Sequence, residues 1–125
     1  MAVKTKTASH NHMISNYAGK HKRGIAVYTT GENLTIGHNQ PNSLRTAHWP
    51  CNTERVGIGD GIIVYHRHGS APTNASTVYV GTITGIQRKP NGLCVYEAAN
   101  VEVAANLQNV NWIVFSGSRS RVRYF

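Results

Sequence analysis

The feature that most constrains this chain is the turn Gly59-Asp60-Gly61 and the run it opens, Ile62-Ile63-Val64-Tyr65. Glycine supplies the positive φ a tight turn needs, and aspartate binds its own nearby backbone. The β-branched and aromatic residues that follow favour a pleated surface. The sequence therefore predicts a strand from Gly61 to Arg67, ending in the cationic tip His66-Arg67-His68. Alternation along a strand puts His66 and His68 on one face and Tyr65 and Arg67 on the other. Such a tip suits aromatic stacking, anion contact or metal ligation.

The flanking sequence repeats the strand-and-turn idiom. Residues 24–30 read as a first strand stopped at Gly31, and Leu34-Thr35-Ile36 as a short second one. Residues 37–53 read as a loop, rich in Asn, Ser and His and broken by Pro41 and Pro50. A strand over 77–86 is followed by Lys89-Pro90-Asn91-Gly92, whose Asn-Gly pair predicts a tight hairpin, and Leu93-Cys94-Val95-Tyr96-Glu97 returns as its partner. Residues 98–110 fit either a strand or a helical turn. Residues 111–115 read as a short strand, and 121–125 as a final one. A short helix is expected near residues 9–18, where Met13, Ile14 and Tyr17 share a face. The expectation is a small mostly-β domain, a curled sheet or barrel of about six strands with one or two short helices. It covers residues 24–125, behind a basic N-terminal arm over 1–23 that carries Lys4, Lys6, Lys20, Lys22 and Arg23 without an acid.

Charge narrows the function classes. Thirteen Lys and Arg face five Asp and Glu, a formal charge of +8, and such an excess points toward polyanions, chiefly nucleic acid. The start of the chain has no apolar run, so the sequence predicts no signal peptide and no membrane span, with a cytoplasmic location by default. Cys51 and Cys94 are too few for a disulfide framework or a four-cysteine zinc site. They read as reduced thiols, with a single disulfide as the alternative.

The segments Val56-Gly57-Ile58-Gly59-Asp60-Gly61-Ile62-Ile63-Val64-Tyr65-His66 and Val78-Tyr79-Val80-Gly81-Thr82-Ile83-Thr84 resemble the paired central strands of PUA-like domains, including the EVE and ASCH branches. Trp49, shortly before the Gly-Asp turn, is placed like the tryptophan-containing segment of EVE-like sequences. The resemblance implies a PUA-like pseudo-barrel that binds RNA or DNA, with an extruded or modified base held in an aromatic pocket. Some ASCH relatives hydrolyse modified nucleosides, but this chain lacks the Lys/Thr/Glu grouping that supports their chemistry.

In that reading Trp49 and Tyr65 stack on the base, while His66, Arg67 and His68 contact its edge or a phosphate. Lys20, Lys22 and Arg23 would add backbone electrostatics, as would Arg88 and Lys89 and the basic C-terminal trio Arg119, Arg121 and Arg123. All of this requires the cations to share a face. Asp60 reads as a turn residue rather than a general acid, and the reading needs neither metal nor cofactor. Two alternatives compete with it. One is a small nucleotide- or nucleic-acid-processing enzyme using histidines as acid–base groups or metal ligands, for which His66-x-His68 with His48-x-x-Cys51, or His10-x-His12, would supply an N/S set. The other is an oligomeric protein-interaction module built on the exposed aromatics.

Overall fold

The computed structural model describes residues 13–37, 40–69 and 75–125. Lys4, Lys6, His10 and His12 lie outside the described residues, as does most of the 70–76 connection. The elements in chain order are α1 (Ile14–Tyr17), β1 (Gly24–Thr29), β2 (Leu34–Ile36), β3 (Leu44–Pro50), β4 (Gly61–Arg67), β5 (Ala75–Arg88), β6 (Leu93–Gln108), α2 (Trp112–Ser116) and β7 (Val122–Tyr124). Seven strands form one sheet in the order β2-β3-β6-β5-β4-β1-β7. The fold is mostly β with two short helices, as the composition predicts, but the sheet is open, with β2 and β7 at its ends.

The centre of the sheet follows from the Gly61 run. Gly61 through Tyr65 are all buried, a pattern expected where both faces of a strand are covered. Ile62 and Val64 join Ile25, Val27, Leu44 and Ile83 in one apolar cluster. Ile63 and Tyr65 point the other way, into a second cluster with Ala26, Val78, Trp112 and Phe115. β1 lies parallel to β4 with Gly24 beside Gly61 and Tyr28 beside Tyr65. The two strands approach so closely at their start that a Cβ on Gly24 would fall 2.2 Å from the Gly61 carbonyl oxygen. The Asp60 turn forms as expected: its carboxylate accepts from Gly57 N at 2.8 Å and from Arg23 Nε at 2.7 Å.

Several segments depart from the sequence reading. The 37–53 loop contains β3, which pairs antiparallel with both β2 and β6. Residues 98–108 continue β6 as strand, so the hairpin arms are 14 and 16 residues long. Register shifts at Val78/Tyr79, Val80/Thr82 and Ile83/Gly85 interrupt the β5–β6 ladder, and bulges of this kind bend a ribbon and increase its twist. Residues 112–116 form a helix instead of a strand. Asn111 caps it, its Oδ1 accepting from Val114 N at 2.8 Å, and Gly117 closes it in the left-handed region at φ 74°. The cysteines are joined rather than reduced: Cys51 and Cys94 form a disulfide with a Cα–Cα distance of 5.4 Å. They meet because β3 pairs Trp49 with Cys94 and delivers Cys51 just past the strand end. Among the described residues no helix is long and apolar enough to cross a membrane.

Candidate functional site

Tyr28 of β1 and Tyr65 of β4 stand side by side because parallel pairing aligns them. Their rings lie 5.7 Å apart, and Trp112, at the first turn of α2, lies 5.9 Å from Tyr28 and 5.7 Å, edge-on, from Tyr65. Phe115, one turn further along α2, packs 5.2 Å from the Tyr65 ring. Two polar contacts fix this wall. The Tyr65 hydroxyl donates to the Val110 carbonyl, and Trp112 Nε1 donates to the Ser120 carbonyl at 2.6 Å. The first ties the end of β6 to the central strand, and the second ties α2 to the segment leading into β7.

Above this wall is a cleft of about 500 Å³, within the roughly 300–1,000 Å³ usual for small-molecule sites. Arg67 comes to it from the end of β4, and Arg119 and Arg121 from the α2–β7 segment. The Arg121 guanidinium sits over the Tyr28 ring at 5.3 Å, a cation–π arrangement. Asn109 and Asn111 complete the rim, and no Asp or Glu is among the described lining residues. Burial pushes the Tyr65 hydroxyl above the ordinary phenol range, only partly countered by nearby polar and cationic groups including Arg67. It therefore stays protonated and keeps its bond to Val110. The arrangement presents cations and amide groups around an aromatic floor. It has the chemistry to bind an anion joined to a flat ring, and it offers no nucleophile–base pair.

The predicted site residues are scattered relative to this cleft. Arg67, Arg119 and Arg121 gather at it. Tyr65 forms its wall, but at 1 % exposure it offers no free ring face. Trp49 is 6 % exposed, packs in the opposite cluster and donates from Nε1 to Thr46 Oγ1 at 2.9 Å. It borders a smaller recess of about 280 Å³ with Glu32 and His48, and Arg121 reaches that recess as well. His66, adjacent to Tyr65 on an alternating strand, projects from the other face. Its ring lies 4.4 Å from that of His68, and its Nδ1 is buried with no hydrogen-bond partner. Burial, followed by the His68 charge, holds the His66 imidazole below its ordinary pKa. His68 Nε2 lies 2.5 Å from Thr77 Oγ1, which itself donates to Asn106 Oδ1 at 3.0 Å.

The remaining cations are elsewhere. Arg23 is engaged by Asp60 at 2.7 Å, at the Gly24/Gly61 end of the β1–β4 pair, about 17 Å of strand from the cleft. Lys22 precedes it in an exposed turn, and Lys20 lines a separate recess beside α1. Arg88 and Lys89 lie at the far tip of the β5–β6 hairpin. Since Ser76 pairs with Arg67, that tip is about 40 Å of strand away. Arg123 donates to the Ser116 and Tyr124 carbonyls. The basic residues thus divide between two ends of the sheet. Cys51 is committed to its disulfide, so the N/S set with His48, His66 and His68 does not assemble. Among the described residues no group of three His, Cys, Asp or Glu is placed to hold a metal ion.

Tyr28, Trp112, Asn109 and Asn111 are the cleft residues the sequence reading did not assign to a site. In the sequence Tyr28 and Trp112 are aromatics that suit either a pocket wall for a planar base or, more commonly, a core, while Asn109 falls in the 98–110 stretch that fits a strand or a helical turn and Asn111 in the expected 111–115 strand. No protein-family model, curated protein or solved structure matches the chain.

Proposed function

We propose that this protein is a nucleic-acid-binding module, PUA-like in character, that holds one nucleotide of RNA or DNA in the arginine–aromatic cleft. The observation that carries the proposal is the convergence of Arg67, Arg119 and Arg121 on a floor of Tyr28 and Trp112, with no carboxylate among the described lining residues. Guanidinium groups bind phosphate oxygens with paired hydrogen bonds. The Arg121 guanidinium lies over the partly exposed Tyr28 ring, and its outward face gives a base a flat surface on which to lie. A cleft of this size takes a single nucleotide from a strand or a flipped or modified base from a duplex, and it is too small to take a duplex edge-on. In this reading Tyr65 and Trp112 hold the floor rigid, and the charge excess of the whole chain steers the polyanion toward it. The protein acts as a binder rather than an enzyme, in the cytoplasm. Reducing thiol pools keep most cysteines open in that compartment, so thiol trapping in fresh lysate tests the location: free Cys51 and Cys94 support it, and a bridged pair overturns it.

Fluorescence anisotropy with labelled single- and double-stranded DNA and RNA, plain and base-modified, tests the function. Binding at low salt that weakens as salt rises is expected, with single strands or modified duplexes preferred. Absence of binding to every probe at low salt would overturn the proposal.

A further inference from the structure

Arg121 lines two cavities, the aromatic cleft and the smaller recess that Trp49 borders. Tyr28 and Thr29 are consecutive residues at the end of β1, and alternation along a strand turns their side chains to opposite faces of the sheet. Tyr28 lines the cleft and Thr29 the recess. Arg121 is anchored beside them, its carbonyl accepting from Tyr28 N at 2.9 Å. Its guanidinium lies over Tyr28 on the cleft side, and its charge also reaches Glu32 in the recess.

At about 280 Å³ the recess falls just below the range usual for a whole small molecule. It suits one part of a ligand that is anchored next door. Its polar groups differ in kind from those of the cleft. Glu32 brings a carboxyl that accepts from the Thr30 hydroxyl at 2.5 Å; that bond is the foremost cause holding it below its ordinary range, and the Arg121 charge acts in the same direction. A carboxylate held ionised in this way repels phosphate and accepts N–H groups. His48 adds an exposed imidazole and Asn33 an exposed amide. A flat ring beside hydrogen-bonding groups is the means by which proteins hold an unstacked base.

Resting on the reading of the cleft as a nucleotide site, we propose that the recess receives the base of the adjoining nucleotide, so that the protein grips a dinucleotide step with Arg121 on the phosphate between. His48 stacks on the second base, and Glu32 accepts from its N–H groups. The bound strand turns over the end of β1 from one face of the sheet to the other. Such a turn separates two neighbouring bases, which costs least in a strand that is not paired.

Competition separates this proposal from the reading beneath it. A labelled single-stranded oligonucleotide bound to the full chain is displaced at one fixed low salt concentration by four competitors. They are dAMP, a deoxyadenylate dinucleotide with a terminal phosphate, and two counterparts of that dinucleotide, each lacking one base. The dinucleotide and its abasic counterparts carry the same phosphates, so they differ only in the base. The complete dinucleotide is expected to act at a concentration at least about tenfold below either counterpart, the low end for a hydrogen bond to a charged group. In the double variant Glu32→Gln with His48→Ala, both at exposed positions and checked for folding by circular dichroism, that ratio is expected to fall toward one. A ratio near one in the native chain, or a ratio that survives the double variant, would overturn the second subsite and leave the cleft as a nucleotide site. Displacement by none of the four, with the oligonucleotide still bound, would overturn both.

Discussion

Removing the cleft arginines is expected to change how binding responds to salt, by an amount set by their number. Three guanidiniums line the cleft. If each neutralises one phosphate of a single strand, the logarithm of affinity falls against the logarithm of salt with a slope of about −0.7 per contact, hence about −2 in all. Between about 50 and 200 mM salt the native protein then loses about twentyfold in affinity. Arg119→Ala brings the slope to about −1.4, and Arg119→Ala with Arg121→Ala brings it to about −0.7, leaving a loss of roughly threefold over the same range. Arg119→Ala is the cleaner single variant, because Arg121 also packs over Tyr28. Anisotropy titrations at four or five salt concentrations give the slopes directly, and circular dichroism checks that each variant folds. A slope that stays near the native value in the double variant would refute the reasoning. It would place the phosphate contacts at the other end of the sheet, where Lys22, Arg88 and Lys89 lie.

Three further outcomes follow from other parts of the molecule. The Cys51–Cys94 bridge spans a sequence separation of 43 residues, so on the chain-entropy account Cys51→Ala costs about 4 kcal/mol. That corresponds to a melting point lower by roughly 15 °C for a domain of this size, and a change below a few degrees in thermal melts would contradict it. His66 has a folded pKa below its unfolded value of about 6.5, so the unfolded chain binds its proton first as pH falls. Stability is expected to drop as pH is lowered from 7 toward 5, and His66→Gln to flatten that part of a melting-point–pH profile. Tyr65→Phe removes the hydroxyl that holds Val110 and is expected to cost about 1 kcal/mol. Denaturant melts read that loss, while the anisotropy assay shows weaker nucleotide binding as the 109–111 rim loosens.

The parts of the fold that were legible in the sequence are those where local chemistry and tertiary environment agree. The Gly-Asp-Gly turn, the β-branched runs of β1 and β4, and the Asn91-Gly92 hairpin each carry their own local signal. β3 was hidden because its sequence, Leu44-Arg45-Thr46-Ala47-His48-Trp49-Pro50, is polar and flanked by prolines. It is a strand because β2 and β6 pair with it on both sides. In α2 the run Trp112-Ile113-Val114-Phe115 is β-prone by composition, yet Trp112 and Phe115 are buried while Ile113 and Val114 are exposed. That helical spacing, with Asn111 before it and Gly117 after, was the available signal. Among the site residues, Arg67, Arg119 and Arg121 come together only because β7 pairs with β1 and β1 with β4, and no local pattern encodes that order. Trp49 stood out as an aromatic in a polar stretch, but the strand it belongs to turns it into the core.

The two walls of the cleft differ in how they are held. The inner wall belongs to β1 and β4, flanked by other strands on both sides, and amides in such strands exchange only when the whole fold opens. The outer wall is a helix of five residues, too short to persist on its own, fastened by its packing on Tyr65 and by the hydrogen bond from Trp112 to Ser120. Local opening of that helix therefore costs much less free energy than global unfolding. Hydrogen exchange is therefore expected to reach the amides of that helix before those of β1 and β4 beneath it.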